Sequence, residues 1–308
     1  EFLQDGKPLI CGDFSGKLNV AKMTRPAQKN NVVFETNSHS IKDLHILSQN
    51  NDTADIITSG RDFSLKLWEY QITQKTMHSL QTFKTAGNCH SIQSRNDKII
   101  TGGTENAINF YRFEKIRPIS AEDKKIDESR NEESSEEHLK HVFRIEKAHE
   151  DCVSSVCFSS EISFCSGSWD RSIKKWDVGT EKAVSAFDSE DVVTCLNFDG
   201  QTGLMASAHA SRGVCLWDLR YSKSENPVFS LRADCWQSSV RFKSTNVVVS
   251  CGHDGLVRFW DLRACADEEA AVLVAKKKKK LFCLGVCGDA EIAEVAAGGE
   301  EGVFTWKK

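Results

Sequence analysis

Cys165-Ser-Gly-Ser-Trp-Asp-Arg-Ser-Ile-Lys-Lys-Trp-Asp-Val178 is the stretch from which the rest of the chain can be laid out. It reads as strand, tight turn, strand. Ser166 and Ser168 end the first strand, Asp170 sits in the turn, and Ile173 to Val178 form the next. The second strand closes on Trp176-Asp177, and the same aromatic closure recurs along the chain.

Trp68 closes Gly60-Arg-Asp-Phe-Ser-Leu-Lys-Leu-Trp68, with Asp62 in its turn, and Trp260 closes Gly252-His-Asp-Gly-Leu-Val-Arg-Phe-Trp260, with Asp254 in its turn. Trp217 closes Val214-Cys-Leu-Trp217, and Trp306 closes a copy that starts at Gly298. Two weaker copies end at Val20 and Tyr111. The seven anchors are 48, 43, 65, 41, 43 and 46 residues apart. A period of about 40–45 residues closing on Trp-Asp marks a WD repeat, one propeller blade per copy. A four-stranded sheet cannot bury both faces alone, so such sheets stack around an axis. The expected fold is all-β: one seven-bladed WD-repeat β-propeller.

The expected blades cover 1–35, 36–85, 86–116, 140–182, 183–223, 224–266 and 267–308. The long spacing of 65 residues holds an insertion, 117–139, with Glu122, Asp123, Asp127, Glu128, Glu132, Glu133, Glu136 and Glu137 and few apolar residues. Such a segment buries too little to offset its ordering entropy and is expected to be a disordered loop. Ser129, Ser134 and Ser135 make an acidic docking or phosphorylated segment the functional alternative. The chain starts at Glu1 and stops at Lys308, just after the third strand of the last blade. The closure strand is therefore expected from residues upstream of Glu1.

Net charge is −4, so any attraction to nucleic acid must be local. No apolar run approaches the roughly 20 residues of a membrane helix, and no membrane partner is expected. The chain has 12 cysteines. Cys11, Cys157, Cys165, Cys195, Cys215, Cys251, Cys283 and Cys287 fall in apolar strand segments without a CxxC pair. They are expected to be buried, reduced thiols, which favours cytosol or nucleus.

Ser166, His149 and Asp170 have the residue types of a hydrolase triad. With Trp176 they fit a structural hydrogen-bond network better: Asp170 orients His149, which bonds Ser166 or Ser168. No phosphate loop, zinc set or nucleophile elbow is present, so no catalytic, cofactor-binding or metal-binding residue is expected. Lys276, Lys277, Lys278, Lys279 and Lys280 form the sharpest local charge: a solvated turn, a contact for a phosphate-bearing partner such as RNA, or a nuclear-import signal. Trp236, in the loop leading into a strand, is a candidate rim residue of an interface or, equally, a cap on its blade. Arg220 and Arg263 complete Trp217-Asp-Leu-Arg220 and Trp260-Asp-Leu-Arg263. These resemble the box by which substrate receptors of cullin-four ubiquitin ligases dock their adaptor; the alternative is that each arginine pairs with a strand-end acid.

Ile41-Lys-Asp-Leu44, Leu67-Trp-Glu-Tyr70 and the run from His149 to Arg220 resemble the WD-repeat family of large ribosomal subunit biogenesis factors. Within that run Val153-Ser-Ser-Val156, Cys165 to Asp170, Trp176-Asp-Val178, Cys195-Leu196 and Leu216-Trp-Asp218 carry the resemblance. The acidic insertion falls where that family has one, between the third and fourth blades. The resemblance implies a non-enzymatic scaffold in rRNA processing, in the nucleolus and nucleoplasm of the nucleus, with the block-of-proliferation protein and pescadillo as partners. The family's N-terminal domain, which engages the ATPase midasin, has no counterpart in the residues here.

Overall fold

A computed structural model describes residues 9–21, 32–36, 39–114, 138–211, 213–220, 226–233, 235–264, 271–276, 279–287, 294–300 and 302–307. These residues contain strands and no helix. They form seven antiparallel sheets, each a meander in chain order. The first sheet is β1 (Leu9–Gly12), β2 (Lys17–Ala21) and β3 (Val32–Glu35). The second is β4 (Ile41–Gln49), β5 (Thr53–Gly60), β6 (Ser64–Gln71) and β7 (Thr76–Lys84). The third is β8 (Cys89–Arg95), β9 (Lys98–Gly103), β10 (Ile108–Phe113) and β11 (Leu139–Ile145). The fourth is β12 (Val153–Phe158), β13 (Ser163–Ser168), β14 (Ser172–Asp177) and β15 (Lys182–Asp188). The fifth is β16 (Val193–Phe198), β17 (Leu204–His209), β18 (Val214–Asp218) and β19 (Phe229–Leu231). The sixth is β20 (Gln237–Ser244), β21 (Val247–Gly252), β22 (Leu256–Asp261) and β23 (Ala271–Lys276). The seventh is β24 (Leu281–Cys287), β25 (Glu294–Gly299) and β26 (Gly302–Lys307).

The sheets stand as seven blades of a β-propeller. The inner strands β4, β8, β12, β16, β20 and β24 lie side by side in that order. Each of six apolar clusters is shared by two neighbouring blades. One joins Ile173 and Phe187 of the fourth blade to Val193, Met205 and Trp217 of the fifth. Another joins Ile100, Phe110 and Val153 to Phe164 and Trp176, across the third and fourth blades. Burial between blades is what makes the stack cohere. It also explains the glycine in Ser166-Gly-Ser168: a Cβ on Gly167 would lie 2.5 Å from Val193 Cγ1 of the next blade.

The blade limits differ from those expected. Leu139–Ile145 is the outer strand of the third blade, paired to β10, so the acidic insertion interrupts that blade before its last strand. Likewise Lys182–Asp188 closes the fourth blade and not the fifth. Trp68, Trp176, Trp217 and Trp260 sit on the third strand of a blade, and an outer strand follows each. That strand is hard to see in sequence because one of its faces meets solvent: β15 is mostly exposed apart from Phe187. Most of 117–139 lies outside the described residues. In the first blade β1 lies against β4 as β9 lies against β12, so its described strands occupy the second to fourth positions. The described strands of the last blade, β24 to β26, occupy the first to third.

The turn between the second and third strand is the same device in every blade. It carries a left-handed residue: Gly16, Phe63, Asn106, Arg171, Gly213, Gly255 and Gly302, one per blade. Glycine adopts that conformation without a Cβ penalty, and four of the seven turns use it.

Side chains stitch the inner strands together. Asp43 Oδ2 accepts from Ile92 N at 2.7 Å, and Ser91 Oγ from Val156 N at 3.2 Å. Ser155 Oγ accepts from Leu196 N at 2.9 Å, and Asn197 Oδ1 from Phe242 N at 2.8 Å. Each bond satisfies an amide that strand pairing within its own blade leaves free.

Candidate functional site

The fourth blade brings His149, Ser166, Asp170 and Trp176 together. Trp176 Nε1–H donates to Ser166 Oγ at 2.8 Å. Ser166 Oγ–H donates to His149 Nε2 at 2.7 Å, and His149 Nδ1–H to Asp170 Oδ2 at 2.9 Å. Asp170 also accepts from Ser172 N, Ser172 Oγ and Glu150 N at 2.8, 2.7 and 3.0 Å. Ser168 is not part of this chain: its hydroxyl donates to Asp151 O and accepts from Asp170 N.

Burial pulls the His149 imidazole below its ordinary pKa, and the neighbouring Asp170 carboxylate only partly offsets this. Burial pushes the Asp170 carboxyl up. The hydrogen bonds from Ser172 and Glu150, with His149 beside it, outweigh that and hold it at about 2. A neutral imidazole between a hydroxyl and a carboxylate is also the geometry of a serine hydrolase. Here Ser166 is 0% exposed and its oxygen already accepts the Trp176 N–H. A substrate carbonyl cannot reach it, and the arrangement can lock the second strand to the third and to the incoming loop.

The same lock is built from other residues in other blades. Trp217 Nε1–H donates to Ser207 Oγ at 2.7 Å, which bonds His209 Nε2 at 2.8 Å. Trp260 Nε1–H donates to Ser250 Oγ at 3.0 Å, and Ser250 Oγ–H to Gln237 Oε1 at 2.9 Å. Trp68 Nε1–H donates to Thr58 Oγ1 at 3.0 Å. His209 lies on the second strand of its blade and Gln237 on the first, unlike His149 in the incoming loop, so the pattern at Trp176 does not point to them. The usable signal was a hydroxyl ten residues before each of these four tryptophans: Thr58, Ser166, Ser207 and Ser250.

Arg220 folds back on its own repeat: Nε and Nη2 donate to the two Asp218 oxygens at 2.8 and 2.6 Å. Arg263 makes the same fork on Asp261, at 2.9 and 2.5 Å. That fork holds the Asp261 carboxyl down to about 2. Trp236 stacks on His253, with ring centroids 5.5 Å apart and planes 8° apart. Lys276 ends β23, Lys277 and Lys278 lie outside the described residues, and Lys279 and Lys280 are exposed.

The described cysteines are free thiols. Cys157 faces Cys165 across the β12–β13 ladder, and that contact together with burial pushes its thiol well above the ordinary range. Two corrections apply to the expected burial. Cys11 is only half-buried, and Cys283, on an innermost strand, is exposed. The side chain of Cys287 is outside the described set.

Comparison with known proteins shows what this chain is similar to. The model of the WD domain, G-beta repeat, matches residues 139–177 and 225–261. The rice protein called ribosome biogenesis protein WDR12 homolog is 26% identical over 293 residues, 89% of this chain and 65% of its own length. The Chlamydomonas reinhardtii protein of the same name is 28% identical over 151 residues, 47% of this chain and 33% of its own length. Ribosome biogenesis protein YTM1 of Coccidioides immitis (strain RS) is 23% identical over 328 residues, 96% of this chain and 69% of its own length. The chain thus spans less than two thirds of the rice and algal relatives.

Proposed function

Taking the chain as a WD-repeat β-propeller similar along most of its length to proteins named for ribosome biogenesis, we propose that it is a non-enzymatic interaction scaffold in large ribosomal subunit assembly. Its place is in rRNA processing, within a complex of the pescadillo and block-of-proliferation type, in the nucleolus and nucleoplasm. The observation that carries this reading is the extent of the similarity, which runs through 89–96% of the chain in the rice and Coccidioides relatives. The blade geometry supports the non-enzymatic part, since the Ser-His-Asp set with hydrolase-like distances is sealed inside a blade.

The ligase-receptor reading rests on Arg220 and Arg263. Both guanidiniums are engaged by the aspartates of their own repeats, which gives them a role inside the blade. Midasin engagement belongs to a domain the residues here do not include, and so it is not assigned to this propeller. The test is pulse-labelling of ribosomal RNA after depletion of the full-length protein. Large-subunit precursors should accumulate while small-subunit rRNA matures normally. Unchanged processing of both would remove the proposal.

A further inference from the structure

Six inner strands carry a β-bulge at the same register. The ladders slip between Ile41 and Asp43, Cys89 and Ser91, Val153 and Ser155, Val193 and Cys195, Gln237 and Ser239, and Leu281 and Cys283. Bulges re-aim the extra side chain. All six lie at the end of the ring where the turns after the second strands gather. In the fourth and fifth blades the bulge residue is absorbed by the fold: Ser154 and Thr194 each donate to a backbone carbonyl of the next blade at 2.6 Å. Lys42, His90 and Phe282 occupy the same position in the second, third and seventh blades and have no such use.

Lys42 lies beside Arg61, because Ile41 pairs with Gly60. Burial draws the Lys42 ammonium below its ordinary range, and Arg61 adds to the effect. Burial likewise lowers His90, with Lys42 and Arg61 contributing. Among the described residues none of these three side chains has a hydrogen-bond or ion-pair partner. The nearby Asp43 spends its oxygens on Ile92 N and Leu44 N, and the Cys152 thiol, pushed up to about 11, is neutral. Lys42 and Arg61, side by side with no ion-pair partner among the described residues, present a site for an anion.

The first and seventh blades continue this arc with aromatic rings. Phe282 meets Phe14 edge to face at 5.6 Å and His253 at 5.9 Å, and His253 stacks on Trp236. Phe14 is 69% exposed. Lys279 and Lys280 stand exposed just before Phe282. Two acids lie near His253: Asp254, which Arg258 holds, and Glu300, whose amide bonds Lys280 O.

We propose that this arc, from Trp236 and His253 through Phe282 and Phe14 to Lys42 and Arg61, binds single-stranded nucleic acid. Bases stack on the rings and phosphates seat on the cations. Flat rings interleaved with cations are the common device for holding single strands, and every base has a face to stack. An acidic peptide would use the cations but leave the stacked Trp236–His253 pair without a role. That the strand is RNA in the cell rests on the function proposed above; the surface itself does not.

The test is fluorescence anisotropy with labelled oligouridine of about 12 nucleotides, with DNA of the same length and duplex RNA alongside. Both single strands should bind, and the duplex at least about tenfold more weakly. Lys42→Gln with Arg61→Gln should weaken binding about tenfold and lower the log–log salt slope by about 1–2. Phe14→Ser should weaken it roughly fivefold or more with the slope unchanged. Lys182→Ser, on the exposed outer strand of the fourth blade, should change nothing. Melting curves confirm that each variant is folded, and Arg61→Gln alone replaces the double variant should that fail to fold. The proposal is overturned by folded wild-type protein that binds no single strand, by variants that bind as tightly, by a duplex held equally well, or by oligoglutamate binding in place of oligouridine. Oligouridine binding in a protein whose depletion leaves rRNA processing intact would sink the cellular role alone.

Discussion

The Asp43 carboxylate reaches across from the second blade and accepts the Ile92 N–H of the third at 2.7 Å. The bond ties neighbouring inner strands near the axis, where no ladder joins them. Asp43→Ala leaves that amide without its acceptor and should cost about 1–3 kcal/mol in urea unfolding. Asp43→Asn keeps an acceptor and should cost less. Equal losses for the two would show that the carboxylate matters for another reason.

The sixth blade uses Gln237 where the fourth uses His149. His149→Gln, which can still offer the Ser166 hydroxyl an acceptor, should lose about 1 kcal/mol, whereas His149→Ala should lose about 2–3 kcal/mol by leaving that hydroxyl without its acceptor and taking one donor from Asp170. Thermal melts of the two variants check the ranking. A glutamine variant no better than the alanine one would mean the two blades are not equivalent.

Stability should fall in acid in two stages. His149 has a lowered folded pKa, so the unfolded chain takes up its proton first and stability drops as pH falls below about 6.5. Asp170 titrates from its ordinary 3.8 down to about 2 in the folded protein. Its contribution, about 2 kcal/mol, is complete above pH 5 and is lost as pH falls through that window. Asp170→Asn should flatten the second stage and deepen the first, since His149 loses the carboxylate that partly offsets its burial. Unfolding free energies measured from pH 7 to pH 2.5 would expose an unchanged second stage if the assignment is wrong.

Two turn glycines should respond differently to alanine. A Cβ at Gly213, with φ +93°, would lie 2.2 Å from Leu231 O, whereas one at Gly302, with φ +114°, meets nothing within 4 Å. Gly302→Ala should cost about 1 kcal/mol of backbone strain, and Gly213→Ala about 3 kcal/mol or more, since backbone must move as well. Chemical denaturation of both variants decides it; similar losses would place the whole cost in the backbone angle.

The propeller could be read from the sequence because its spacing is set by blade size, and Trp68, Trp176, Trp217 and Trp260 each fill the same buried place between blades. The blade limits could not. An outer strand such as Lys182–Asp188 exposes most of its side chains and carries little hydrophobic signal. The lock at Trp176 was legible because all four partners are present in their usual types. Its versions at Trp217 and Trp260 were not, since His209 and Gln237 reach the same hydroxyl from different strands. The cluster at Lys42 was invisible for a similar reason: strand register brings Arg61 beside it, and the packing of β8 on β4 brings His90.

Affinity purification of the tagged full-length protein from nuclear extract, with the bound proteins and RNA identified, tests the scaffold role most directly. The account predicts pescadillo and block-of-proliferation type proteins together with large-subunit precursor rRNA, and their recovery unchanged in Arg220→Ala with Arg263→Ala. Recovery of a cullin-four adaptor in their place, lost in that double variant, would contradict it.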